Sequence, residues 1–396
     1  MSGTLGNIYN NVAFALNLHA EAMFKLQEQA ATGSRINRAS DDPSTSYRVL
    51  SLNSQEKSLE NYLDNTIEAS GTLEISLSIL QAMISEITDK KVNLTQVISG
   101  TYGSGGRIGL ADEINETLEH LVSLANTQHM DQYLYSGSST GTAPYTVTRV
   151  AGEITNVAYQ GSSENRNIEI ASGVESSAFY VGDTLFRSDS RTTPTFVGDT
   201  GAAAGSGTSN IKGEVWLTVT HNGTNYQLSI DGGTTKTTVP LAGDVSNLAV
   251  VDASGESILY VDASAVGLTT GTDLVRVSGT YDVFNTLVSI RDMLRNSNGF
   301  SETRMTELQN KAIATLEEVR SYLVDKSVSM GSRIGFLENV KDTLENMNFN
   351  TEDEATLLQE ADIAQIAIDL ARREVLYQMS LSVAGRLMSI SLLNFI

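Results

Sequence analysis

Few residues in this chain have the types and spacing that chemistry needs. Gly137-Ser138-Ser139-Thr140-Gly141 has the Gly-x-Ser-x-Gly spacing of a nucleophile elbow, in which Ser139 would attack an acyl carbon. That reaction needs a strand before the serine and a helix after it. Here the pattern predicts a helix before and strands after, so the stretch reads as a turn-rich linker. Gly103 to Gly106 has the glycine content of a phosphate loop but neither the lysine nor the preceding strand. Asp252 and Asp262 do not have calcium-loop spacing. His19, His120, His129 and His221 are dispersed, and His19 lies beside a helical stripe, which fits packing better than metal ligation. The chain has no Cys, which removes thiolate nucleophiles, thiolate metal sites and disulfides together. No catalytic residue, metal ligand or cofactor is expected.

Charge narrows the partners. Against 26 basic residues stand 47 acidic ones, a formal net charge of -21. Phosphate-rich partners need clustered Lys and Arg, so nucleic acid and anionic membrane are disfavoured. No run approaches 18 apolar residues, so membrane insertion is not expected. No Lys or Arg precedes Lys25 and no apolar core follows Met1, so the start does not read as a cleavable signal peptide.

The elements that could position anything are mostly helices. With only 4 Pro in 396 residues, long helices go uninterrupted. Residues 1 to about 135 read as helix, about 139 to 279 as strand and turn, and about 281 to 396 as helix. Leu59, Leu63, Thr66, Ser70, Leu73, Leu77, Leu80, Ile84, Ile87, Lys91, Leu94 and Ile98 alternate four- and three-residue steps, a heptad stripe. Asp42 before Pro43 predicts a helix N-cap, and Tyr102–Gly106 predicts a break. In the second arm Val283, Leu287, Ile290 and Leu294 precede a break at Asn298–Gly299. A longer stripe then runs from Met305 to Met347, and an acidic break is expected at Thr351–Glu354. Between the arms, Val215–Val219 and Tyr226–Ile230 flank His221-Asn222-Gly223, a hairpin signal. A second hairpin joins Leu248–Asp252 to Ser257–Val261, while Ala202–Ser209 reads as a loop and Trp216 and Tyr226 as core aromatics.

The fold class expected is mainly α with an inserted β domain. The N- and C-terminal arms form a long-helix bundle or coiled coil, and the β-sandwich-like domain projects from it. The expected domains are 1–40 with 355–396 (terminal coiled coil), 41–138 with 280–354 (helical bundle) and 139–279 (β insertion). Ile8, Val12 and Leu26 mark an apolar stripe on the opening helix. Leu357, Ile368, Val375, Met379, Val383, Leu387 and Ile390 mark one on the last. Chain ends fray unless something holds them, so these stripes are candidate assembly interfaces.

Four stretches, in order, resemble the flagellin family. Leu26 through Pro43, with Gly33, Arg35-Ile36-Asn37 and Asp41-Asp42-Pro43, is similar to its first conserved turn. Asn65, Ser70, Gly71, Leu73 and Leu80 are similar to the helix that follows, and Glu360-Ala361-Asp362-Ile363-Ala364 to the acidic motif before the last helix. Leu124-Ala125-Asn126 with Tyr133–Gly137 and Pro144, and the ending Ser389–Ile396, resemble the hook-associated branch of the family. The resemblance implies a self-assembling structural subunit of the bacterial flagellum, not an enzyme, adapting hook to filament. It implies partners too: a hook-associated protein, flagellin subunits, copies of itself in a ring, and a cytoplasmic export chaperone on the C-terminal helix. Export would be by the flagellar type III route to an extracellular location. Arg35, Ile36, Asn37, Asp41, Asp42 and Pro43 would be packing and interface residues. The rival readings are a filament flagellin, a tail-fibre or adhesin-like module with a carbohydrate site near Trp216 and Tyr226, and an esterase on Ser139.

Overall fold

In a computed structural model, residues 2–99, 104–177, 179–189, 191–253, 255, 257–267, 269–296 and 299–393 are described, without the side chains of 2–9, 104, 189 and 387–393. Among the described residues there are seven helices: α1 (Ser2–Thr32), α2 (Pro43–Ile98), α3 (Ser104–Ala125), α4 (Gly182–Leu185), α5 (Val283–Arg295), α6 (Glu302–Gln359) and α7 (Ile363–Leu393). The strands lie between α3 and α5. The chain divides into two compact units, one of residues 1–64 and 340–396, the other of residues 65–339. N-terminal and C-terminal segments pack together and the β-rich segment is inserted between them, which is the fold class expected.

In the unit of residues 65–339 the heptad stripe on α2 is a burial pattern. Thr66, Leu73, Leu80, Ile87 and Leu94 are buried, while Ser70, Leu77, Ile84, Lys91 and Ile98 are half-buried. A second series, Ala69, Ser76, Met83, Lys90 and Val97, is buried beside it. The helix therefore has neighbours across a wide face, more than a single coiled-coil seam provides. Polar ties cross that face. Lys90 and Asn93 of α2 meet Glu113 of α3, and Lys91 meets Glu317 of α6 at 2.6 Å. Arg107 of α3 pairs with Glu302 of α6 through two bonds of 2.6 and 2.7 Å.

Helix α5 is buried along Val283, Phe284, Leu287, Ile290 and Leu294. Its N-cap is Asp282, whose carboxylate accepts from the Phe284 and Asn285 amides. Arg291, almost fully buried, donates to Asn115 Oδ1 at 2.8 Å and to the Ile154 carbonyl at 2.6 Å, joining α5 to α3 and to the Glu153–Tyr159 strand.

The exit from α3 comes ten residues earlier than the composition suggested. Strand Gln128–His129 already pairs with Gln132–Tyr133. Asn126 fixes this exit, donating to the Tyr145 carbonyl and accepting the Tyr145 amide, both at 2.9 Å. Tyr135 is buried with Phe186, Phe284 and Tyr145 in an edge-to-face aromatic group, its hydroxyl donating to the Ser76 carbonyl. Gly137 has φ +64°, and a Cβ there would lie 2.4 Å from the Ser162 carbonyl oxygen. Glycine is required where the turn and the next loop touch. Gly137–Gly141 is a run of turns, without a strand-to-helix crossing.

The β insertion is wholly antiparallel. A five-stranded sheet is ordered Thr237–Thr238, Tyr226–Ser229, Gly213–His221, Gly271–Val277, Thr195–Val197. It shares a core with a three-stranded sheet of Leu248–Val251, Ile258–Asp262 and Ala203–Ala204. Leu217, Val219, Leu228, Val250, Leu259, Val261 and Val275 fill that core. Both predicted hairpins form, His221 pairing with Tyr226 and Val251 with Ile258.

Several expectations fail. Ala203–Ala204 is an edge strand on Val261 and Asp262, inside the stretch read as loop. Small residues there allow close packing: a Cβ on Gly207 would sit 2.3 Å from the Tyr260 ring. Trp216 points away from the sandwich core, as strand alternation with Leu217 demands, and stacks on Phe300. Tyr226 does pack on the core. Thr351–Glu354 does not break α6, which continues to Gln359, and Met347 is exposed. Of the stretch read as a helix break at Tyr102–Gly106, residues 102 and 103 lie outside the described ones, and Gly105 and Gly106 belong to α3.

Arg276 joins the five-stranded sheet to α6. Its guanidinium meets Glu214 Oε1 at 2.8 Å and also reaches Glu318 and the Thr315 hydroxyl. Glu214 and Arg276 are both nearly buried. Removing one partner strands the other charge out of water, at about 3–5 kcal/mol. Arg276→Met should therefore lower full-chain stability in urea by about 3 kcal/mol. Adding Glu214→Leu should recover most of the loss; two variants equally destabilised would contradict this.

Candidate assembly surface

All sixteen residues singled out as candidate interface or motif positions fall in the unit of residues 1–64 and 340–396. The motif residues build two stitched turns. Helix α1 ends at Thr32, and Gly33 takes φ +70°, the left-handed conformation that favours glycine after a helix. The Gly33 carbonyl accepts the Ala361 amide at 3.0 Å, and the Arg35 amide donates to the Gln359 carbonyl at 2.7 Å. Between these two bonds Ser34 forms an antiparallel bridge to Glu360. The Arg35 guanidinium adds a bond to the Leu358 carbonyl and an ion pair to Asp42. The turn from α1 to α2 is thus tied to the turn from α6 to α7.

Asn37, Asp41, Asp42 and Pro43 shape the first of these turns. The Asp41 carboxylate accepts the Asn37 and Arg38 amides at 3.2 and 3.0 Å and pairs with Lys25. Asn37 donates from its side chain to the Ser34 carbonyl. Asp42 accepts the Thr45 amide at 3.1 Å, the Thr45 hydroxyl and the Ser44 hydroxyl, an N-cap with Pro43 as the first residue of α2. Ile36 is half-buried. The bond from Lys25, then the Arg38 amide, holds the Asp41 carboxyl below the usual carboxylate range. Bonds from the Thr45 hydroxyl, the Thr45 amide and the Ser44 hydroxyl hold Asp42 well below it.

Stitched turns dictate how α1 and α7 run: from adjacent ends they lie antiparallel. His19 reaches Arg373 at 3.4 Å, and Ala22, Leu26 and Gln29 line a crevice with Asp369, Arg372 and Leu376. Val12 and Leu26 are half-buried on this contact face of α1. On α7 the half-buried or buried positions are Ile366, Asp369, Leu370, Arg373, Leu376, Tyr377, Ser380 and Ala384. None of these is a predicted interface residue of α7. Ile368, Val375, Met379 and Val383 are all exposed, Ile368 at 63% and Met379 at 61%, as is Leu357 on α6. Ile368 lies two residues from Ile366, about 200° around a helix of 3.6 residues per turn. Helix α7 therefore carries two apolar stripes: one set against α1, the other, which the periodicity found, uncovered. Ile8 belongs to α1, and Leu387 and Ile390 to α7, but their side chains lie outside the described ones.

Periodicity missed Phe14 and Phe24 on α1, exposed at 69% and 70%, and the exposed Tyr47, Leu50 and Phe349. Their only signal was a large apolar side chain off the main stripe. Among the described residues no group of three or more His, Cys, Asp or Glu is placed to hold a metal, and no helix is long and apolar enough to cross a membrane.

Known proteins share this arrangement. Residues 7–140 match the bacterial flagellin N-terminal helical region, which covers the α1–α2 turn, all of α2 and the exit after α3. The fold is that of the flagellar hook associated protein-3 of Legionella pneumophila, with a TM-score of 0.53 over 78% of this chain and 98% of that one, at 16% identity. Xanthomonas campestris FlgL gives 0.51 over 76% and 98%, at 18% identity. The flagellin resemblance thus covers about a third of the chain, and the fold is one shared with hook-associated proteins. In sequence, the flagellar hook-associated protein 3 of Escherichia coli is 26% identical over 179 residues, 45% of this chain and 54% of that protein. Flagellin A of Helicobacter felis is 30% identical over 131 residues, 31% of this chain and 26% of that protein. The match thus spans about half the length of the E. coli relative and less of the flagellin.

The turn has a pH signature. Because the folded carboxyls of Asp41 and Asp42 sit below their ordinary values, their stabilising effect is present above about pH 4 and lost as the pH falls toward the depressed values. Amide protection at Asn37, Arg38 and Thr45 should hold at neutral pH and collapse below about pH 4. An Asp41→Ala, Asp42→Ala double variant, which removes the accepting oxygens, should lack that protection at neutral pH and show no further acid step. Protection that survives in the variant would contradict the role assigned to the two carboxylates.

Proposed function

We propose that this chain is a structural, non-catalytic subunit of the bacterial flagellum that joins hook to filament by self-assembly through its terminal helices. The observation that carries the reading is α7, apolar on two opposite faces with one of them uncovered. A second apolar face on a helix already packed along its first needs cover of its own, and that cover is supplied by other subunits. Likeness in fold to structures named as hook-associated protein 3 and FlgL supports the junction role over a general filament role. In this reading Ile8, Val12, Leu26, Leu357, Ile368, Val375, Met379, Val383, Leu387 and Ile390 are assembly residues. Arg35, Ile36, Asn37, Asp41, Asp42 and Pro43 hold the turn that presents them. The partners are a hook-associated protein on one side and flagellin on the other, with copies of the chain closing a ring. Before export by the flagellar type III route to the cell exterior, a cytoplasmic chaperone covers the C-terminal helix.

A filament flagellin is the second reading, favoured by the Helicobacter felis relative. Deleting the gene separates the two. A junction subunit, when lost, leaves complete hooks that shed unpolymerised flagellin into the medium. Hooks that still carry a thinner or shorter filament would overturn the junction reading. In the same strain an Ile368→Asp, Val375→Asp variant should be made and folded, with unchanged circular dichroism, yet fail to restore filaments. Full motility from that variant would remove α7's outer stripe from the interface.

A further inference from the structure

The exposed turn between strands Gly213–His221 and Tyr226–Ser229 holds chemistry that assembly does not use. Asn222-Gly223 is the sequence in which a backbone nitrogen best reaches the preceding side-chain amide, because Gly223 carries no Cβ. Here the reacting groups have partners. The Gly223 amide donates to His221 Nδ1 at 3.1 Å, within the range for proton abstraction by a general base. That bond requires the imidazole to carry its proton on Nε2. The His221 ring rests on Tyr226, its neighbour across the hairpin. Asn222 Oδ1 accepts the Thr224 amide at 3.0 Å and the Asn225 amide at 2.8 Å. Two amides aimed at one carbonyl oxygen are the donor set that stabilises an oxyanion.

We propose that Asn222 is a site of self-catalysed covalent modification, its side-chain amide hydrolysed through a cyclic imide with His221 as base. Gly223 N gives its proton to His221 Nδ1 and bonds to Asn222 Cγ. The oxyanion on Oδ1 is held by the Thr224 and Asn225 amides. As it collapses the Cγ–Nδ2 bond breaks, and the nitrogen leaves as ammonia, taking the proton back from the imidazolium. Water then opens the five-membered imide at either carbonyl, leaving aspartate or isoaspartate at position 222. No oxidant or cofactor enters, and the net reaction is amide plus water to acid plus ammonia. The product adds a negative charge at the turn, and in the isoaspartate form one more backbone carbon between His221 and Gly223.

A second Asn-Gly pair, Asn298-Gly299, supplies an internal control, because the Gly299 amide donates to the Asn296 carbonyl, which is no base. The full chain is incubated at neutral pH and 37 °C, and peptide mass mapping follows conversion at both positions. Asn222 should convert faster than Asn298. His221→Gln should slow position 222 by about tenfold, less than general-base catalysis usually gives because water also reaches an exposed turn, and leave Asn298 unchanged. In urea the two positions should convert at similar rates, which separates an effect of the folded turn from one of local sequence. Equal rates in wild type and His221→Gln, or faster conversion of Asn222 unfolded than folded, would overturn the proposal.

Discussion

The terminal unit depends on a pair of backbone hydrogen bonds, Arg35 amide to Gln359 carbonyl and Ala361 amide to Gly33 carbonyl. They join two chain reversals more than 300 residues apart in sequence. Without them α1 and α7 would be separate helices of 31 residues each, little supported by local structure in water. With them the helices start from one point and must run antiparallel. The polar residues of the two turns serve that geometry. Gly33 supplies the left-handed residue, Asp41 and Asp42 satisfy amides that the turn leaves open, and Arg35 reaches across to the second reversal.

Much of this was legible in the sequence, for physical reasons that also explain the failures. A capping aspartate before a helix-opening proline is local chemistry, so the start of α2 at Pro43 was readable. The heptad run on α2 was readable because burial recurs with the period of the helix. A second buried series on the same helix, Ala69, Ser76, Met83, Lys90 and Val97, was not, since small and charged residues carry no hydrophobic signal. Lys90 is buried because Glu113 waits for it on α3. Such pairs depend on tertiary neighbours. Trp216 misled for a related reason: a large ring suggests a core, but strand alternation sends it to the other face, against Phe300.

The last helix shows the same distinction where it matters most. Periodicity selected Ile368, Val375, Met379 and Val383 because they recur at steps of seven, four and four residues. It passed over Ile366, Leu370, Leu376 and Tyr377, which share their face with Asp369 and Arg373. Yet the mixed face is the one that α1 covers: Arg373 at its margin reaches His19, and Asp369 lines a crevice shared with Lys25 and Gln29. The cleaner stripe is the one left uncovered. Which stripe meets an intrachain partner cannot be read from one helix, because both satisfy the same period.

Magnitudes then decide what the uncovered stripe can do. Burying a large aliphatic side chain fully is worth about 1.5–3 kcal/mol. Ile368, Val375, Met379 and Val383 already hide part of their surface in the pair, so covering the rest brings on the order of 5 kcal/mol. Bringing two proteins together costs roughly 4–15 kcal/mol in lost freedom. One pairing of α7 stripes therefore barely offsets its own cost, which keeps a free chain from clustering in dilute solution. A subunit held by neighbours on two sides gains two such contacts while losing its freedom once. Association of this kind is weak between pairs and firm on an existing end, where several stripes are met together.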